Sequence, residues 1–193
     1  MRGKRGFAIS SLGLGALVLG ALAVVATDMA DQEKAEAVDS DVIRSAEGFR
    51  LSPVPIRGHS APLHELVGLG SYLVNTVGDC SGCHTSPAFV PGGDPFHGQP
   101  TKVNTAGFLA GGRAFGPFTS RNLTPDEHGL PAGMTFAQFL KTMRTGVDLE
   151  HKHPAMGPLL QVMPWPDYRH MSDRELFAMY QYLRLIPSLP GND

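Results

Sequence analysis

The sequence predicts an all-α domain whose few helices are joined by long ordered loops. Apolar residues recur at helical spacing in three separate stretches, and no series of alternating strands is visible. Glycine (23) and proline (16) are both abundant, many of them in one stretch from Thr85 to Pro131. A chain of 193 residues has room for one such domain with a leader and a linker.

In chain order, Arg2, Lys4 and Arg5 precede an uncharged apolar run from Phe7 to Ala26. This is the pattern of an export signal, with Ala21-Leu22-Ala23 or Val24-Val25-Ala26 as small-residue cleavage sites. The run is 20 residues long, which also suffices to cross a bilayer. Residues 1–26 are therefore read as a signal peptide or an N-terminal membrane anchor, with the basic start left on the cytoplasmic side. Residues 27–61 are polar and then Pro-containing, a spacer with room for a short helix. The folded domain is expected over 62–190. Its first helix follows Pro62, with Leu63, Leu66, Val67, Leu69, Leu73, Val74 and Val77 at helical spacing and Gly78 as the stop. A second helix is predicted from Thr135 to Thr145, with Gly146 as its stop. The last opens on Ser172 with Glu175 three residues on, a capping box, and ends before Pro187. The long segment between the first two helices needs a reason inside a compact domain, and wrapping around a bound group supplies one.

Without residues 1–26, 13 basic side chains face 18 acidic ones, a balance of about −5. Nucleic acid, which calls for a basic stripe, is not indicated as a partner. The two cysteines sit three apart, too few and too close for the disulfide framework of a secreted domain.

Those two are Cys80 and Cys83, and His84 follows at once. Cys-x-x-Cys-His is the attachment sequence of c-type haem: two thiols add to the two vinyl groups of one porphyrin, and the next residue brings imidazole to the iron. By chance the arrangement would arise in a chain of this composition about once in 2,000. A thiol-disulfide protein using Cys80 and Cys83 would show a βαβ pattern nearby, and a structural zinc site would need four ligands. The sequence displays neither. One covalent haem is therefore the expected cofactor.

Haem iron held by His84 needs a sixth ligand or keeps an open position. Met134, Met143, Met156, Met163, Met171 and Met179 lie downstream, and His151, His153 and His170 are rival donors. Met143 and Met179 belong to apolar helix faces, where packing explains them. Met163 is favoured because Pro164-Trp165-Pro166 restricts the backbone that aims it, and Trp165 can cover a cofactor edge. With both axial sites filled the chain is an electron carrier without catalytic side chains. With an open or displaceable sixth position it would be a haem enzyme or a sensor of peroxide or a small gas.

The chain resembles the class I cytochrome c family over about residues 66–190. It is most similar to the mono-haem cytochrome domains that serve periplasmic and membrane-bound dehydrogenases, such as alcohol or nicotinate dehydrogenase. The residues that carry the likeness are Gly70-Ser71-Tyr72-Leu73-Val74 ahead of Gly78-Asp79-Cys80, Thr119 to Asp126 with Gly129, Met163-Pro164-Trp165, and Tyr182-Leu183-Arg184 in the closing helix. The resemblance implies a cytochrome c fold with long loops around one haem and the first and last helices crossing, Gly70 at the close approach and Tyr182 its partner. It implies that a backbone carbonyl after the motif, near Pro91 or Pro95, holds His84 Nδ1, and that Arg113 and Asn122 meet the propionates. It also implies a periplasmic protein, free or tethered to the inner membrane, with a dehydrogenase or terminal oxidase as redox partner. Many dehydrogenase cytochromes carry three haem motifs where this chain has one, and the segment from Asp148 to Val162 is longer and richer in His than the family's.

Overall fold

The computed structural model describes Met29, Gln32, Lys34, Glu36 and residues 40–148 and 157–191. The chain divides into two units, Met1–Ser40 and Asp41–Asp193. The described residues of the first are helical. The expected signal or anchor, 1–26, lies outside the described residues. Among the described residues no helix is long and apolar enough to cross a membrane.

The second unit, Asp41–Asp193, is mostly helical, as the sequence predicts. Residues 41–51, expected within the spacer, form helix α1. This helix has little apolar face, with Val42 and Ile43 exposed, so hydrophobic periodicity does not mark it. It docks backbone to backbone. A Cβ on Gly48 would lie 1.9 Å from the Gly68 carbonyl oxygen, and Ser71 Oγ donates to the Gly48 carbonyl at 2.6 Å.

Helix α2, His64–Tyr72, continues as one π turn, Leu73–Val77, closed by the Gly78 N–H on the Leu73 carbonyl at 2.7 Å. Asp79 then takes a left-handed conformation (φ 42°), which Asp tolerates better than most residues, and starts the short helix α3, Cys80–His84. The final helix α6, Asp173–Leu185, opens on the expected Ser172–Glu175 capping box and packs against α2. At their crossing a Cβ on Gly70 would sit 1.9 Å from the Ala178 carbonyl oxygen, so only glycine fits. Gly70's neighbour is thus Ala178, whereas Tyr182 reaches Ser52 and Asn75.

The long connection from Thr85 is ordered by contacts back to the α3 region. The Leu109 N–H donates to Thr85 Oγ1 at 3.0 Å and the Gly111 N–H to the His84 carbonyl at 2.8 Å. Phe108 and Leu109 thereby enter the core beside Leu69, Leu73, Leu176 and Met179. A two-residue antiparallel ribbon, β1 (Ala114–Phe115) with β2 (Phe118–Thr119), turns at Gly116-Pro117. Helix α4, Phe136–Thr145, is capped by Thr135 and Gln138 and stopped by Gly146 at φ 70°. The one-turn helix α5, Trp165–Tyr168, follows Met163 and Pro164.

Candidate functional site

Helix α3 places Cys80, Cys83 and His84 at i, i+3 and i+4, which is one face of a helical turn. All three line a cavity of about 860 Å³, and Met163 lines it too. The volume is within the ~300–1,000 Å³ range of cofactor sites. Much of its wall is apolar, including Leu123, Phe139, Leu160 and Leu183.

Neither cysteine is in a disulfide. Burial, followed by the charges of Asp79 and Cys83, pushes the Cys80 thiol from 9.0 up to about 12. Exchange-active cysteines show the opposite shift, because the thiolate is the nucleophile. His84 Nδ1 donates to the Arg121 carbonyl at 2.8 Å. Burial holds this imidazole below its ordinary pKa; the carbonyl opposes that shift and the Arg121 charge adds to it. The neutral ring is favoured, with Nδ1–H committed and the Nε2 lone pair directed to a metal ion or a hydrogen-bond donor. The carbonyl belongs to Arg121, not to the region of Pro91 and Pro95, because the bridge of Thr85 to Gly111 brings the later loop alongside α3.

Met163 is half-buried and packed on the core, and its carbonyl accepts from the Trp165 N–H at 2.8 Å. Met134, Met143 and Met179 also line the cavity but are buried core residues. Met171 and His170 are not in the wall, and Met156, His151 and His153 lie outside the described residues. Among the described residues His84 is the one histidine of the cavity wall. Trp165 is absent from that wall. Its ring lies against Gly146, where a Cβ would come within 2.4 Å, and its Nε1 donates to the Leu160 carbonyl at 3.1 Å. It pins the loop ahead of Met163 to the end of α4.

Arg113 and Asn122 are also directed elsewhere. The Arg113 guanidinium bonds the Gly82 carbonyl and lies over Phe115, and Asn122 bonds the Leu189 carbonyl and Thr124. Three polar residues of the wall, Arg121, Asp148 and Tyr168, were not anticipated. Arg121 donates to Asp148 Oδ2 at 2.5 Å and to the Ala132 carbonyl at 2.7 Å. Tyr168 donates to the Gly78 carbonyl at 2.6 Å, and burial, then the nearby cysteines, pushes its hydroxyl up to about 12. Arg121 sits inside the Thr119-to-Asp126 motif, which is a signal of a kind. Asp148 carries none, since its partner is 27 residues away. Among the described residues no group of three or more His, Cys, Asp and Glu side chains is arranged to hold a metal ion, as a structural zinc site requires.

No family model matches the chain. Over 151 residues it is 32% identical to a nicotinate dehydrogenase subunit of Pseudomonas putida, a match covering 74% of this chain and 11% of that protein. Over 117 residues it is 33% identical to the gluconate 2-dehydrogenase cytochrome c subunit of Pantoea cypripedii, covering 61% of this chain and 22% of that one. The cytochrome c subunit of a quinone alcohol dehydrogenase from Gluconacetobacter polyoxogenes is 31% identical over 117 residues, covering 61% and 21%. The chain thus spans between about a tenth and a fifth of these relatives, and what it resembles is a cytochrome c-like portion of dehydrogenase subunits.

Proposed function

We propose that this chain is a mono-haem c-type cytochrome that carries electrons outside the cytoplasm for a dehydrogenase, with His84 and Met163 as axial ligands. The observation that carries the reading is the convergence of Cys80, Cys83 and His84 on one wall of a largely apolar cavity, with His84 Nδ1 already committed to a carbonyl. These residues fit a covalently held porphyrin. The thiols are spaced to add across two vinyl groups of one ring, S–H adding to C=C with nothing released. Haem c, when bound, supplies the one-electron ferric–ferrous couple.

The chain's own groups do the rest. The Arg121 carbonyl fixes the His84 tautomer and raises its basicity as a donor. Met163 offers a thioether, which favours the ferrous state relative to a second imidazole. The apolar wall keeps water from the site and so tunes the potential. The protonated Cys80 thiol argues against thiol exchange. The names of the relatives support a dehydrogenase as redox partner, and the basic-then-apolar start of the sequence supports export, free or tethered.

Protein matured in a host that attaches haem to cytochromes should stain for haem after denaturation. A negative stain sinks the proposal. The folded ferric protein should be six-coordinate and low-spin with a methionine charge-transfer band, and Met163→Ala should abolish that band. High-spin ferric iron and rapid carbon monoxide binding in the unmodified protein would instead favour the enzyme or sensor reading.

A further inference from the structure

We propose that Tyr168 is the positioning residue for Met163, its hydroxyl holding the ligand-bearing segment against the turn that precedes Cys80. The inference rests on the haem reading above and names what keeps the sixth ligand in place. Tyr168 Oη donates to the Gly78 carbonyl at 2.6 Å, although the two residues are 90 positions apart in sequence. Both line the cavity, as do Met163 and Cys80. The hydrogen bond therefore joins two stretches of the wall, one carrying the proposed thioether ligand and the other leading into α3.

Tyr168 can act on Met163 because the backbone between them is stiff. The Trp165 N–H donates to the Met163 carbonyl at 2.8 Å, the Asp167 N–H to the Pro164 carbonyl at 3.1 Å, and the Arg169 N–H to the Trp165 carbonyl at 2.9 Å. Pro164 and Pro166 fix two φ angles between them. Helix α5 is thus a short rigid arm with the thioether at one end and the phenol at the other. On the α4 side the arm is fastened by the Trp165 ring against Gly146 and by Arg144 on the carbonyls of Arg169 and Met171. Tyr168 supplies the attachment on the α3 side. The phenol keeps its proton, because burial and then the neighbouring cysteines push it up to about 12, so it remains a donor. Gly78 is buried, and its carbonyl meets the phenol only while the arm lies against the turn. The bond therefore stabilises the closed arrangement over one in which Met163 swings out.

Added imidazole binds the ferric holoprotein where Met163 gives way, so its affinity reports the fraction of protein with the arm open. Tyr168→Phe should raise that affinity about fivefold, the equilibrium equivalent of one neutral hydrogen bond. In a Met163→Ala background the same substitution should change it by less than about twofold, since no thioether is left to position. Tyr182→Phe, which loses hydrogen bonds outside the cavity wall, should leave the affinity unchanged. That separates positioning of the ligand from general loosening. An affinity within about twofold of the unmodified protein in Tyr168→Phe overturns the assignment. So does a gain that persists undiminished without Met163, or an equal gain in Tyr182→Phe. If Tyr168→Phe does not mature, Pro166→Gly, which frees the arm and leaves the phenol in place, is measured instead. It should raise the affinity likewise, and an unchanged value overturns the proposal equally. Unmodified protein lacking covalent haem or the methionine band would instead defeat the underlying reading, so the two failures are distinct.

Discussion

The Tyr182 hydroxyl lies between Ser52 Oγ at 2.9 Å and Asn75 Nδ2 at 3.2 Å, in a side chain that is fully buried. Ser52 spends its own proton on the Val54 carbonyl, so the phenol donates to Ser52 and accepts from Asn75. Tyr182→Phe should cost about 1 kcal/mol in denaturant unfolding, the usual net value of a lost hydrogen bond. Burial raises this phenol above its ordinary pKa of 10.0, against the pull of its hydrogen-bond partners. The neutral form is therefore favoured in the folded chain. Its contribution is present below pH 10 and is lost as pH rises beyond it, so Tyr182→Phe should unfold less steeply with alkali than the unmodified protein. At this scale the Cys-x-x-Cys-His pattern was legible because Cys80, Cys83 and His84 fall within five consecutive positions. Arg121, Asp148 and Tyr168 were not, because nothing local says which distant backbone or charge a polar side chain will meet. Arg113 and Asn122, carried over by resemblance, find nearer partners and leave the cavity wall.

Helix ends were readable for the same local reason. Ser172 with Glu175 forms the expected capping box, and Gly78 and Gly146 end their helices as predicted. Thr135 with Gln138 obeys the same rule, a second box that the sequence spacing also permits. The ribbon β1–β2 and helix α5 are too short to show any periodicity. The crossing of α2 and α6 depends on a single missing Cβ. Gly70→Ala would place a methyl 1.9 Å from the Ala178 carbonyl, a backbone atom that no side-chain rotation can move. The helices must separate, at about 1–3 kcal/mol or more, and the melting temperature should fall by several degrees. A melting temperature unchanged by this substitution would show that the two helices do not meet so closely.

Across the whole molecule, the second unit runs from Asp41 and takes in the short helix for which the spacer had room. Its grip on α2 is made by Ser45, Gly48 and a main-chain carbonyl, none of which registers as hydrophobic pattern. A chain beginning at residue 41 should therefore melt close to the full-length protein. One beginning at residue 62 should melt markedly lower, since Tyr182 and Ser71 lose their partners Ser52 and Gly48. Equal melting of the two truncated chains would return the boundary to residue 62.

The amino-acid order alone placed two thiols and an imidazole at fixed spacing along one turn, and it marked the stops at Gly78 and Gly146 and the start at Ser172, because caps are satisfied within four residues. Only the folded chain decided which carbonyl orients His84, that Trp165 buttresses the loop before Met163 instead of covering the cavity, and that Arg121 meets Asp148. Those contacts join segments tens of residues apart. Such pairings are set by how the backbone closes around a shared core, and no spacing rule along the sequence encodes them.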